Sequence, residues 1–177
     1  PGVEIVPGQG EARPFKNRGF DYSRSEGYIN YKINNNLTIQ FGHGKHFIGN
    51  GYRSLILSDN TFSYPFLRLQ TNLGIFRYTN LYTEFMDIRN NQLSIIDGYH
   101  GWSRKYMSLH FLECEINDRI KIGVFESIIY AENHAPGVSS LDINYLNPII
   151  FYRPVEYSLG SPDNALIGID LKINTSK

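Results

Sequence analysis

Cysteine is almost absent from this sequence: Cys114 stands alone. One thiol excludes an internal disulfide and any zinc site built on cysteine pairs, and it does not fix the redox compartment. Tryptophan is as scarce, with Trp102 alone, and methionine occurs twice. Net charge is also missing, since 17 Lys and Arg balance 17 Asp and Glu. That balance provides neither the basic stripe of a nucleic-acid binder nor an acidic tail. No apolar run approaches the ~18 residues of a membrane helix, which excludes a helical span. It does not exclude a wall of strands, because strands that alternate across a wall are not hydrophobic on average. The chain opens on Pro1-Gly2 with no initiator Met and no signal peptide, so a processed or truncated piece is expected.

What the chain does have is tyrosine and phenylalanine, 13 and 11 residues, together with much asparagine. That composition suits strands better than helices. The length of 177 residues is enough to bury a core. Residues 1–18 are rich in Gly, Pro and charge and read as an extended arm or loop. Residues 19–177 read as one β domain.

Runs of period-two alternation recur after the arm, separated by turn residues. Tyr28 to Ile33 ends in Asn34-Asn35-Asn36. Leu37, Ile39 and Phe41 then share one face. Leu67, Leu69, Thr71 and Leu73 oppose Arg68, Gln70 and Asn72, and Asn72-Leu73-Gly74 turns the chain into a long run from Ile75 to Asp87. Asn90-Asn91 opens another connection. Met107, Leu109 and Phe111 alternate with Ser108 and His110, and Asn117-Asp118 marks a hairpin. Ile120, Ile122 and Val124 alternate with Arg119, Lys121 and Gly123. Ile167, Ile169, Leu171 and Ile173 alternate with Gly168, Asp170 and Lys172. Mid-strand charges opposite an apolar face fit two environments, a soluble sheet with one wet face or a barrel with a wet lumen. Continuing the phase of Ile120-Ile122-Val124 places Glu126 on the apolar face. A charge facing lipid costs at least ~2 kcal/mol, so a bulge near Phe125, or a position for Glu126 outside the hydrocarbon band, is expected.

Residues 131–165 break the rhythm with four prolines and several turn signals. Ser139 or Ser140 is placed to cap a short helix over residues 141–146, ended by Asn147-Pro148. A long connection folded into or over the sheet is the expectation, and such loops are where binding sits.

Chemical motifs are weak. Gly42-His43-Gly44 and Gly49-Asn50-Gly51 bracket Lys45 and His46 without the order of a phosphate loop, so they read as turn or bulge glycines. The histidines at 43, 46, 100, 110 and 134 have no metal-ligand spacing. Glu113, Glu115, Glu126, Glu132 and Glu156 invite a paired-carboxylate glycosidase reading, whose geometry no sequence displays. Tyr52, Tyr64, Tyr99, Trp102, Tyr152 and Tyr157 suit either sugar stacking or a membrane-interface girdle.

Two segments are distinctive. FGHGKHFIGNGYRSLILSDNTFSYPFLRL at 41–69 resembles the Wzi-type capsule-assembly barrel family: a Gly-rich stretch, then Ser54 to Asn60, then a Pro-containing link into a strand. YLNPIIFYRPVEYSLGSPDNALIGIDLKI at 145–173 is similar to the later part of that family, as found in Bacteroidetes gliding-motility and surface-polysaccharide proteins. RKYMSLHFLE at 104–113 and IGVFESIIY at 122–130 fit the same group. The chain departs from the family in length, which implies strands missing from one or both ends. It also carries His46 and Phe47 where the capsule lectins tend to have Trp.

The resemblance implies an antiparallel transmembrane β-barrel of the bacterial outer membrane, of which this chain is a fragment. It further implies a non-catalytic role in binding or organising capsular polysaccharide or exopolysaccharide. The expected partners are outer-membrane lipid, surface polysaccharide and other envelope proteins; no nucleic acid, metal or cofactor is expected. The residues singled out for polysaccharide binding or lumen bracing are Arg53, Asp59, Asn60, Trp102, Asn147, Tyr152, Arg153, Asp163 and Asn164, with an internal ion pair between Arg153 and Asp163 as one form of bracing. The alternatives are a soluble β-sandwich that binds carbohydrate and a polysaccharide-modifying enzyme using Glu126 and Glu156.

Overall fold

Side chains that alternate between two environments must sit on a pleated strand with different surroundings on its two faces. The computed structural model of the chain describes residues 4–6, 10–87, 94–96, 99–101, 103–131, 143–149 and 163–175. Among these, strands joined by turns dominate, and every pairing is antiparallel.

The segment read as an arm contributes β1 (Glu4–Val6) and β2 (Gly10–Phe15), and with β3 (Gly19–Asp21) they form a small separate sheet. β1 pairs with residues 10–12 and β3 with residues 13–15, so Pro14 borders only one neighbouring strand. Its missing N–H is tolerated there, as on any strand edge.

The main sheet begins with β4 (Gly27–Lys32), β5 (Leu37–Gly44), β6 (Tyr64–Leu73) and β7 (Phe76–Asp87). A two-stranded hairpin of β8 (Ser94–Ile96) and β9 (Tyr99–Gly101) follows. The main sheet then resumes with β10 (Ser103–Asn117), β11 (Ile120–Ala131) and β12 (Asn164–Ile173), giving the order β12-β11-β10-β7-β6-β5-β4. Apart from the β8–β9 hairpin inserted between β7 and β10, neighbours in the sheet follow one another in the chain, the pattern of an up-and-down meander.

Side-chain chemistry sets the turns. Asn34 Oδ1 accepts from the backbone N–H groups of Asn36 and Leu37, each at 2.8 Å. Asn117 Oδ1 accepts in the same way from Arg119 and Ile120, at 2.9 and 3.0 Å. Both are Asx turns in which a short amide replaces a backbone partner. Gly74 takes φ 60° between β6 and β7, a conformation that favours glycine. The three turns read from the sequence at 34–36, 72–74 and 117–118 are therefore present. Asn90-Asn91 lies outside the described residues.

The ladder registers separate two faces. One carries Leu37, Ile39, Phe41, Leu67, Leu69, Ile122, Val124, Ile167, Ile169 and Leu171. Much of it is open: Ile169 is 77% exposed and Phe41 62%. The other carries Gln40, Phe66, Arg68, Gln70, Leu81, Leu109, Phe111, Phe125 and Asp170. At one end of this second face the largest hydrophobic cluster forms from Tyr64, Phe66, Leu81, Met107, Leu109, Phe111 and Phe125. Ile48 closes it from the β5–β6 connection, with Ile56 and Leu57 packed alongside.

That connection also shows how the sheet curves. Asn50 donates from its backbone N–H to Asp170 Oδ1 at 3.3 Å, and from its side-chain amide to Oδ2. Asp170 lies in the cross-strand row with Gly123, Glu113, Arg77 and Asn72, and Asn72 N–H donates to Asn36 O. In a flat sheet that row crosses five strand spacings, and Gly44 stands a further eight residues along β5, so Gly44 and Asp170 would be roughly 35 Å apart. The six residues from Gly44 to Asn50 reach about 21 Å at most. The sheet therefore rolls around the connection. The face carrying Arg68 and Asp170 is the inner, concave one, and the apolar face looks outward. Among the described residues the two edges, β4 and β12, do not meet, so the wall is a rolled sheet and not a closed barrel.

Glycines let aromatic rings lie flat on the inner wall. A Cβ on Gly123 would meet the Phe111 ring at 2.5 Å, and a Cβ on Gly168 would meet the Phe125 ring at the same distance. Of the two expectations for Glu126, the bulge near Phe125 is not there. β11 pairs without interruption from Ile120 to Ala131 with β10 and from Ile120 to Ile129 with β12, and the irregularity in this hairpin lies between Glu115 and Asn117. Glu126 thus keeps the outward phase. It is accommodated by cover: residues 143–149 lie over this part of the outward face. Tyr145, 1% exposed, packs with Tyr106, Ile128 and Tyr130. The Tyr78 hydroxyl donates to Pro148 O at 2.7 Å, and the Tyr82 hydroxyl to Leu146 O at 3.1 Å. Within the expected helix the chain forms one 3₁₀ turn, Ile143–Leu146; Ser139 and Ser140 lie outside the described residues.

Candidate functional site

Two polar constellations stand out against this apolar framework, one on each face. On the outward face Asn80, His110 and Glu126 are directly opposite one another on β7, β10 and β11. All three are buried, at 3%, 0% and 2% exposure. Buried polar groups require partners, and the cover provides one of them: the Asn147 backbone is hydrogen-bonded to His110. With the 143–149 segment above it, this row is sealed from solvent.

On the inner face a wet trough runs over β4, β5 and β6. The ladder places Asn30, Gln40 and Arg68 in one cross-strand row, with Thr38 and Gln70 beside it. Two cavities, of about 310 and 250 Å³, open here and share Gln40 and Arg68 as walls. The larger adds Glu26, Tyr28, His43 and His46. Glu26 is engaged, taking two hydrogen bonds from Arg24 at 3.0 and 3.1 Å and one from Ser63 Oγ at 2.6 Å. These contacts hold its carboxyl below the usual range, the Arg24 hydrogen bond contributing most. His43 Nδ1 is 2.8 Å from Ser25 O, to which it donates. The His46 ring is set edge-on to the Phe66 ring at 4.2 Å, and the His46 backbone N–H donates to the Tyr64 hydroxyl at 3.2 Å. Burial, with Arg68 nearby, pushes the His46 imidazole down to about 4, so it is neutral near pH 7.

The residues singled out from the sequence fall in different places. Arg53 is at the exposed tip of the β5–β6 connection with φ 55°, its guanidinium 5.6 Å from the Tyr52 ring centroid. Ser54 folds that tip by donating from its hydroxyl to Ile48 O. Asp59 and Asn60 follow on the same connection and are exposed; the Asn60 N–H donates to Ser58 Oγ at 3.2 Å. Asn147 belongs to the cover on the outward face, and its Oδ1 accepts from Ile149 N–H at 3.0 Å. Asp163 accepts from the Tyr145 hydroxyl at 2.6 Å, anchoring the same cover, and Asn164 opens β12 opposite Ile129. Arg53, Asp59 and Asn60 are thus on the connection that packs against the inner face, while Asn147 and Asp163 belong to the outer cover. Trp102, Tyr152, Arg153 and Glu156 lie outside the described residues, and so does the proposed partner of Asp163 in an Arg153 ion pair.

Of the other carboxylates, Glu113 pairs with Arg77 at 3.3 Å and Glu115 with Lys121 at 2.9 Å, both on the inner face, whereas Glu126 points outward. Among the described residues no group of three His, Cys, Asp or Glu side chains is placed to hold a metal ion. The residues that sequence reasoning passed over are Gln40, Arg68 and Gln70. Their alternation puts them opposite an apolar face, but nothing local marks them as a binding surface. Compared with family models, curated proteins and solved structures, the chain matches none.

Proposed function

We propose that this chain forms part of the wall of a bacterial outer-membrane β-barrel that binds or organises surface polysaccharide without covalent chemistry. The observation that carries the reading is the opposition of the two faces. An open apolar surface of Phe41, Ile167, Ile169 and Leu171 backs onto an inner trough of amides and an arginine. A lipid-facing exterior and a wet lumen call for that arrangement. Strand length agrees: β6, β7, β10, β11 and β12 have 10 to 15 residues, and a tilted membrane strand needs about 9–11. Closing the wall requires the β4 and β12 edges to be paired, with each other or with further strands. The Wzi-type resemblance supplies the polysaccharide, and the exposed Arg53, Asp59 and Asn60 are the described loop residues available to it.

A soluble carbohydrate-binding sheet is the second reading. The buried Asn80-His110-Glu126 row favours it, since an amide, a histidine and a carboxylate on the outward face suit a surface packed against protein better than one packed against lipid. Extraction decides between them. The barrel stays with the membrane fraction in carbonate and requires detergent; release by carbonate or high salt alone would support the soluble sheet. The polysaccharide role is tested on cells by measuring capsule retention with Arg53→Ala, Asp59→Ala and Asn60→Ala in the complete protein. Unchanged retention with a normally assembled barrel would remove those residues from the binding surface.

A further inference from the structure

Arg68 sits at the centre of the inner trough, where the two cavities meet. One of its Nη atoms donates to Gln70 Oε1 at 2.7 Å, and Gln70 in turn donates to Asn72 Oδ1 at 3.5 Å. Its Nε is buried and has no hydrogen-bond partner. Among the described residues no carboxylate pairs with it: Arg24, Arg77, Arg104 and Lys121 hold the ion pairs found there. A guanidinium that is partly buried and has no carboxylate lacks the partner such a group ordinarily has. The carboxylate that lines the same cavity, Glu26, is already committed to Arg24 and Ser63.

We infer that Arg68 receives the carboxylate of an acidic sugar, so that the polysaccharide taken by this trough is anionic. The inference rests on the polysaccharide reading above and adds its charge class. Guanidinium and carboxylate geometries match, and a charge-assisted pair is about twice as strong as a neutral hydrogen bond. Gln40, Gln70 and Asn30 offer both donors and acceptors to ring hydroxyls. Tyr28, 66% exposed on the inner face of β4, gives the larger cavity an aromatic ring on which a sugar can stack.

The test uses the complete protein in detergent, labelled with ¹⁵N-arginine. The Arg68 Nε–H signal is identified by its loss in Arg68→Lys. Glucuronate, glucose and acetate are titrated separately, and calorimetry on Arg68→Gln and Tyr28→Ala provides a second readout, with circular dichroism confirming that each variant is folded. Glucuronate is expected to shift the Arg68 signal and to bind roughly tenfold or more tightly than either glucose or acetate. Arg68→Gln should lose that advantage over glucose, and Tyr28→Ala the advantage over acetate. An Arg68 signal unmoved by glucuronate overturns the inference. Equal binding of glucose and glucuronate overturns the charge assignment and leaves the polysaccharide reading standing. Equal binding of acetate and glucuronate, insensitive to Tyr28→Ala, makes this a simple anion site, which overturns the inference and removes the trough from the polysaccharide reading.

Discussion

Asn50 and Asp170 are 120 positions apart in the sequence and joined by two hydrogen bonds, one from the Asn50 backbone and one from its side-chain amide. The pair ties the β5–β6 connection to the last strand of the sheet and fixes the roll of the wall around it. A double-mutant cycle with Asn50→Ala and Asp170→Ala should give a coupling of about 1 kcal/mol, the value of an exposed charge-assisted hydrogen bond. Denaturant midpoints of the four proteins in detergent measure it. Additive effects would mean that the connection does not rest on β12.

The cover on the outward face should be the most sensitive point of that surface. Tyr145 is 1% exposed, packs on Tyr130 with ring centroids 4.7 Å apart, and donates to Asp163. Tyr145→Ala should cost about 3 kcal/mol, as large-to-small aromatic changes in cores do. Tyr145→Phe should cost about 1 kcal/mol, for the hydrogen bond alone. Equal, small losses in thermal unfolding for both variants would show that residues 143–149 do not hold the surface over Glu126.

Acid should loosen the inner end of the wall. His46 is neutral in the folded protein until about pH 4, whereas the unfolded imidazole takes up its proton near 6.5. The unfolded state therefore binds more protons in that window, and stability falls as pH drops from about 6.5 to about 4. Above pH 7.5 the residue should contribute no pH dependence. Denaturant midpoints for the wild type and His46→Gln should differ in their pH slope only below about 6.5. A parallel pair of curves would place His46 in water.

Glycine positions separate the inner wall from its edge. A Cβ on Gly42 would run into the backbone of Gly27 and Tyr28, which cannot yield as a side chain can. Gly42→Ala should therefore displace β4. Gly123→Ala meets the Phe111 ring and should cost about 1–3 kcal/mol by overpacking. A Cβ on Gly27 meets nothing within 4 Å, which makes Gly27→Ala the control. Thermal melts that rank Gly27→Ala as the most damaging of the three would contradict the packing described.

What was legible in the sequence was local. The Asn34 and Asn117 turns and the face assignments of Leu67 to Asn72 follow from residue type and period two, which neighbouring positions determine. Glu126 shows where that reasoning stops. Its phase is right, but a local view asks for a bulge or for a place outside the hydrocarbon band, because the segment that covers it begins 17 residues later, at Ile143, in a stretch whose prolines and turn signals hide its contacts. Gly and Pro depress strand propensity in residues 1–18, which therefore read as an extended arm or loop, yet a short meander needs only three-residue ladders. Arg68 reads in the sequence as a residue opposite the apolar face and not as a site, because its lack of a carboxylate partner is a property of the folded neighbourhood.

The central claim is that the outward face meets lipid while the inner face meets water. β12 tests it most directly, in the complete protein reconstituted in lipid vesicles with Cys114 replaced by Ser. Single cysteines at residues 167 through 172 would carry a nitroxide, and collision with oxygen and with a water-soluble nickel chelate would be read at each. Positions 167, 169 and 171 should favour oxygen and positions 168, 170 and 172 the nickel complex, alternating with period two. Nickel access at all six positions, or no alternation, would contradict a membrane wall and leave a soluble sheet.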